Sequence, residues 1–381
     1  MMKKKYLLTP GPTPLPPEVL LSQAQPIIHH RTPDFQEIFK EVCEGLKVIF
    51  QTANDCFVLT SSGTGAMEAA VVNLASKGDT VLTVQGGKFG ERWAEIAKAY
   101  GINAEVIDVE WGQAVDPKEI EKKLKANPKI KAVFTTLCET STGVTTDIQA
   151  IGKIAKGAQA ALVVDAISGL GAIDMKTDAW GVDICVSGSQ KGLMLPPGLA
   201  FMSVSKKAWG IIDGNKAAAY YFNLKAAKKA LDKFDTAFTP AITLVIALKE
   251  ALKIMRKDGL ENIFTRHKRL AVATRTAMKA LGLELLSVDA ASDAVTAVRV
   301  PEGIDGEKLV KTMRDQYGVT IAGGQAQLKG KIFRIAHMGF IEELDIIAGI
   351  CCLEKVLTQM GYKFELGAGV RAAEEVFLQG E

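Results

Sequence analysis

The chain has 381 residues, enough for two domains at roughly 100–200 residues each, which excludes a peptide hormone or a single small module. With 48% hydrophobic and 23% charged residues, and 35 Gly against 13 Pro, it is neither disordered nor collagen-like nor a coiled coil. Lys and Arg total 46 against 43 Asp and Glu, a formal charge of +3, and no basic run is longer than Lys3-Lys4-Lys5, so small molecules or other subunits, not nucleic acid, are the expected partners.

Residues 1–20 contain Thr9-Pro10-Gly11-Pro12-Thr13-Pro14 and Pro16-Pro17, which predict neither a helix nor a central strand but an extended arm lying on the rest of the chain. From 35 onward the apolar pattern predicts a helix over 35–50, a strand over 56–60, a helix over 65–76 and a strand over 80–84. A helix over 91–100, a strand over 104–109, a helix over 118–125 and a strand over 132–136 continue the rhythm. A helix over 147–155 and strands over 161–164, 182–187 and 199–203 follow. Repeated strand-then-helix units with Val-rich strands predict an α/β fold, a mostly parallel doubly wound sheet with helices on both faces. Long helices over 244–255 and 260–281 then lead into strands over 294–300 and 332–336, with helices over 306–317 and 342–359. The expected organisation is an arm (1–20), a large domain (21–257), a smaller C-terminal α+β domain (258–365) and a loose or helical tail (366–381). No period of 20–50 residues repeats, which excludes solenoids and propellers.

Cys43, Cys56, Cys138, Cys185, Cys351 and Cys352 form no C-x-x-C pair, so no metal site is expected and the thiols read as reduced core residues of a cytoplasmic protein. The basic start is followed at once by Thr9-Pro10-Gly11-Pro12, which leaves no room for the apolar core of a signal peptide. Apolar stretches such as 241–248 fall far short of the ~20 residues a membrane helix needs.

Val163-Val164-Asp165 puts an acid at the carboxyl end of a predicted core strand, the edge where α/β sheets bind ligands, although a helix cap would explain it too. The next strand runs into Ser187-Gly188-Ser189-Gln190-Lys191-Gly192, a lysine among small residues that taken alone would read as a surface charge. Together they match what pyridoxal 5'-phosphate (PLP) requires: a Schiff-base lysine and an acid that keeps the ring nitrogen protonated. Thr60-Ser61-Ser62-Gly63-Thr64-Gly65 follows a strand and opens a helix, so backbone N–H groups converge as a phosphate site would need. An ordinary Gly-rich turn is the alternative, and neither G-x-G-x-x-G nor G-x-x-x-x-G-K-[ST] occurs. Phe89, just after a strand, is either core or a flat surface for a heteroaromatic ring. Arg334 interrupts the apolar run 332–338 and needs a partner, either a substrate carboxylate or a structural salt bridge.

With these residues the chain resembles the class V aminotransferases of PLP-dependent fold type I, specifically the alanine/serine:glyoxylate (serine:pyruvate) group. The resemblance runs from Leu8-Thr9-Pro10-Gly11-Pro12 to Arg334-Ile335-Ala336-His337-Met338-Gly339 and is carried chiefly by 163–171 and 187–192. It implies Lys191 as the Schiff-base lysine, Asp165 as the partner of the ring nitrogen and Phe89 as the stacking aromatic. Ser62, Gly63 and Thr64 would face the cofactor, Thr140 would bond its phenolic oxygen side and Gln190 its phosphate. Thr239 from a second subunit would also reach the phosphate, so the resemblance implies a homodimer with shared sites. Thr236 stands where the family often has tyrosine.

The expected activity is ping-pong transfer of an amino group from alanine or serine to glyoxylate or pyruvate, with Arg334 gripping the α-carboxylate, Gly11 closing over a small side chain, and the partner's Arg31 sorting acidic donors. The alternatives are aspartate or aminophosphonate specificity in the same fold, a non-catalytic subunit of a hydrogenase-type complex, and a nucleotide-binding oxidoreductase.

Overall fold

A computed structural model of the chain describes residues 4–216 and 218–379. Met1, Met2 and Lys3 of the expected arm, and Gly380 and Glu381 of the expected tail, lie outside the described residues. In chain order the elements begin with β1 (Tyr6–Leu7), α1 (Pro17–Ser22), α2 (Pro33–Phe50), β2 (Asp55–Thr60), α3 (Gly63–Leu74), β3 (Thr80–Gln85), α4 (Lys88–Ala99), β4 (Asn103–Asp108) and α5 (Pro117–Ala126). They continue through β5 (Ile130–Thr136), the hairpin β6 (Cys138–Glu139) and β7 (Val144–Thr145), α6 (Ile148–Lys156), β8 (Ala161–Asp165), β9 (Ile184–Gly188), β10 (Leu199–Val204), α7 (Lys206–Gly214), α8 (Leu224–Leu231) and α9 (Ile242–Asp258). The rest comprises α10 (Leu260–Ala280), β11 (Val295–Arg299), α11 (Gly306–Tyr317), β12 (Val319–Thr320), β13 (Ala322–Gly323), β14 (Ile332–Ala336), α12 (Glu343–Gln359) and α13 (Ala368–Leu378).

Every residue of β8, β9 and β10 is buried, which requires helices over both faces of the sheet they form. That sheet has seven strands in the order β2-β10-β9-β8-β5-β3-β4. β10 is antiparallel to both its neighbours and the others run parallel, so the ends Thr60, Gln85, Thr136, Asp165 and Gly188 share one edge. This is the mostly parallel α/β sheet expected from the sequence, with the antiparallel β10 as an addition that the sequence pattern does not predict.

The smaller sheet is antiparallel, β11-β14-β13, and an apolar cluster containing Phe333, Ile335, Leu353 and Phe377 packs it against the helices after α9. The arm belongs to this cluster. β1 pairs in parallel with β12, the Leu8 N–H donates to Thr320 O at 2.8 Å, and Ala336 N–H donates to Leu8 O at 2.9 Å, with Leu8 buried between them. The segment after Phe364, expected as an appended tail, forms α13 and buries Ala373 and Phe377 in the same cluster.

Two expectations are corrected. Residues 17–22 are helical although the arm was expected to hold no helix, because Pro16 at the N-cap and Pro17 at the first helical position need no N–H partner there. Residues 204–243, for which the sequence pattern predicts no element, hold α7 and α8, started by the side-chain caps Ser205 and Asn223. No helix of the described residues is long and apolar enough to cross a membrane.

Candidate active site

β8 ends on Asp165, whose side chain is 3% exposed and whose Oδ1 accepts the N–H of Ile167 at 2.8 Å. Burial pushes this carboxyl up to about 7, against the pull of the Ile167 N–H. The loop after β9 carries Lys191, also buried, and desolvation lowers its amine to about 8. Each of the two feels the other's charge. The Lys191 amine donates to the carbonyl of Pro10 in the arm. Gly11 has φ +107°, and a Cβ there would lie 2.7 Å from Lys191 Nζ, so only glycine lets the arm pass this close.

At the end of β2, Ser62 in extended backbone caps α3, and the first free N–H groups of that helix open toward the same edge. A Cβ at Gly63 would lie 2.5 Å from Ile167 Cδ1, so this turn packs directly on the residue that bonds Asp165. Thr64 Oγ1 accepts from Arg92 Nη1 at 3.0 Å. Arg92 in turn lies over the Phe89 ring, 5.0 Å from its centroid. Phe89 stands in the first turn of α4 rather than before it, because the helix starts at Lys88. Gln190 keeps its side-chain oxygen buried with no hydrogen-bond partner, and so does the hydroxyl of Thr236.

Arg334 comes from β14, where it pairs with Ala297 on one side and Ala322 on the other, and it is 5% exposed. Its Nε and Nη2 donate to Gly323 O at 3.0 and 2.7 Å, and its Nη1 to Thr140 O at 2.8 Å. Burial pulls this guanidinium down to about 10. No carboxylate lies within ion-pair distance of it among the described residues, so the structural salt bridge left open by the sequence is not what holds it. The Thr140 hydroxyl bonds that of Ser168, just beyond Asp165.

Arg31 and Thr239 are not part of this group within the chain. Arg31 pairs with Asp235 at 2.5 Å and donates to Thr236 O at 2.8 Å, and Thr239 is exposed in the segment beside Thr60. Sequence reasoning missed Glu139 and Arg92, whose only signal was their place in the runs 139–143 and 86–92 around residues already singled out. A cavity of about 890 Å³ lies by the opposite strand ends Thr80 and Ile130 and contains none of these groups.

These residues fit PLP. A lysine lowered toward neutrality stands beside a buried acid, a helix start faces the same edge, and the buried oxygen of Gln190 has no partner in the protein. A lysine and an acid at the carboxyl edge of an α/β sheet are what a PLP-dependent transferase requires. The chain belongs to the class V aminotransferases, whose family profile, Aminotransferase class-V, matches residues 5–340, and whose chemistry depends on PLP.

It is similar to the soluble hydrogenase 42 kDa subunit of Anabaena cylindrica, 47% identical over 99% of this chain and 100% of that one. It is 38% identical to a serine–glyoxylate aminotransferase of Methylorubrum extorquens, over 97% and 95% of the two chains. An L-aspartate–glyoxylate aminotransferase of Paracoccus denitrificans is 36% identical over 100% and 98%. Among solved structures, a ureidoglycine-glyoxylate aminotransferase of Bacillus subtilis superposes with a TM-score of 0.95 at 31% identity, covering 99% of each chain.

Proposed function

We propose that the protein moves the amino group of a small amino acid, alanine or serine, to glyoxylate or pyruvate by a ping-pong reaction in one site. The observation that carries the reading is the buried Lys191–Asp165 pair facing a buried arginine that has only carbonyl partners. A docking subunit has no use for such an arrangement, and this favours catalysis over the hydrogenase-subunit alternative.

PLP, when bound, supplies an electron sink that acidifies the α-carbon of an attached amino acid. Lys191 would hold the cofactor covalently, with Ser62, Gly63, Thr64, Thr140 and Gln190 around it and Phe89 on its face. Asp165 would keep a proton on the ring nitrogen. Arg334 takes the α-carboxylate bidentately and so orients the α C–H bond for Lys191 Nζ, which carries that proton away as a neutral amine. The same arginine binds amino acid and 2-oxo acid in turn, as two half-reactions in one site require. Gly11 and the arm over Lys191 support a small side chain.

The reading includes a homodimer in which Thr239 completes the partner's phosphate site and Arg31 meets acidic side chains. Exposed Leu20, Leu21, Ile27 and Tyr220 support a second copy packed against this chain. Six free cysteines support a reducing, cytoplasmic setting. Aspartate as donor is the second reading, favoured by the aspartate-specific name of one relative. Mixing PLP-loaded protein with alanine, serine or aspartate tests the assignment. The visible cofactor band should bleach fastest with alanine or serine and return on adding glyoxylate or pyruvate. Bleaching by aspartate alone moves the assignment to the second reading, and bleaching by none ends both.

A further inference from the structure

Glu139 ends β6 and is 4% exposed, a carboxylate removed from water with no cation within ion-pair distance among the described residues. A buried carboxylate persists only where donors hold it. Here Oε2 accepts the N–H of Phe89 at 3.1 Å and of Gly90 at 2.8 Å, while Oε1 accepts the N–H of Ser141 at 3.1 Å and its hydroxyl at 2.6 Å. The anion therefore sits on the first turn of α4, where unpaired N–H groups and the helix dipole favour it. Gly87 makes the approach possible, since a Cβ there would lie 2.5 Å from both Cγ and Cδ of Glu139. The next residue, Thr140, gives its carbonyl to Arg334 and bonds Ser168 through its hydroxyl. Residues 139–141 thus tie the helix bearing Phe89 to the strand bearing Arg334.

We propose that Glu139 is a positioning residue for the cofactor: its carboxylate fixes the first turn of α4 so that Phe89 lies against the cofactor ring in one setting, in register with the Arg334 that Thr140 holds. This rests on the reading of Lys191 and Asp165 as a PLP site with Phe89 as its stacking aromatic. A cap that served only the helix would act on folding stability, whereas a positioning residue acts on the cofactor and does so through Phe89.

The test is a PLP titration of the full chain, with visible circular dichroism of the bound chromophore, in wild type, Glu139→Gln, Phe89→Leu and the double variant. Glutamine has the same shape but one acceptor atom for donors that now share two. Glu139→Gln should raise the PLP dissociation constant about tenfold, as loss of a charge-assisted hydrogen bond does. The visible dichroic band should weaken with it while the far-UV spectrum stays unchanged. On the Phe89→Leu background the same substitution should add nothing. Additive losses, or a lower Tm with an unchanged dissociation constant, overturn the proposal. If Glu139→Gln does not fold, Ser141→Ala removes one of the donors on Oε1 and should weaken PLP binding about two- to threefold in wild type only. An equal effect on both backgrounds is contrary. Failure of the underlying reading looks different: Phe89→Leu alone then leaves PLP binding untouched, and the role of Glu139 falls with it.

Discussion

The amine of Lys191 donates its hydrogen bond to the carbonyl of Pro10, 181 positions earlier in the chain. Because the Leu8 carbonyl accepts the N–H of Ala336 in β14, the arm joins the small sheet to the lysine in the loop after β9. Gly11→Ala would force a side chain against Lys191 at a φ of +107° that L-residues rarely adopt. The variant should lose more than about 1 kcal/mol of stability and nearly all PLP uptake, measured by thermal melting and absorption titration. Normal uptake would mean that the arm stands clear of the amine in solution.

The amine of Lys191 is lowered to about 8 by burial, from an ordinary value of 10.5. Only the neutral amine attacks an aldehyde, so capture of PLP by cofactor-free protein should accelerate as pH rises through about 8 and level off above it. A stopped-flow series of the growing visible band reads this directly. Acceleration continuing to pH 10 and beyond would show a solvated lysine.

Asp165 moves the other way, from 3.8 unfolded to about 7 folded, chiefly through burial. The folded state therefore binds the extra proton between these values, and the stabilisation is complete below about 3.8 and lost as pH rises through about 7. Urea melts of cofactor-free protein should show stability falling over that window, and Asp165→Asn, which cannot titrate, should flatten that part of the profile. The same variant should bind PLP yet turn over poorly, since an amide does not hold a proton on the ring nitrogen.

Arg334→Ala removes a charge-assisted grip and also leaves the Gly323 and Thr140 carbonyls unpaired. Loss of about 1.5–3 kcal/mol corresponds to a ten- to hundredfold drop in kcat/KM, alike for alanine, serine and aspartate. Arg31→Ala should affect acidic donors alone. A drop confined to one donor after Arg334→Ala would assign that arginine to the side chain instead of the α-carboxylate.

Much of this was legible because two sequence signals are local. Val-rich runs such as 161–165 specify buried strands, and the acid that ends β8 and the lysine in the loop after β9 are brought to one edge by parallel pairing. What was not legible depends on distant partners. Nothing near Arg334 in sequence tells that Gly323 and Thr140 carbonyls hold it in place of an acid. Glu139 reads as an unremarkable acid until α4 folds onto it, and Leu8 reads as part of an extended arm whose resting place is unknown until β12 offers an unpaired edge. Helix starts slipped for a related reason: Lys88 and Phe89 follow Gly86-Gly87, a pair that looks like loop yet caps α4 once Glu139 takes its N–H groups.

Every role assigned to the site depends on Lys191 as the residue that carries PLP. Borohydride reduction of PLP-loaded protein, followed by proteolysis and mass spectrometry, reads that residue covalently. The predicted result is one phosphopyridoxyl group per chain on the peptide containing Lys191, absent after Lys191→Ala. A label on any other lysine, or none on the wild-type protein, would contradict it.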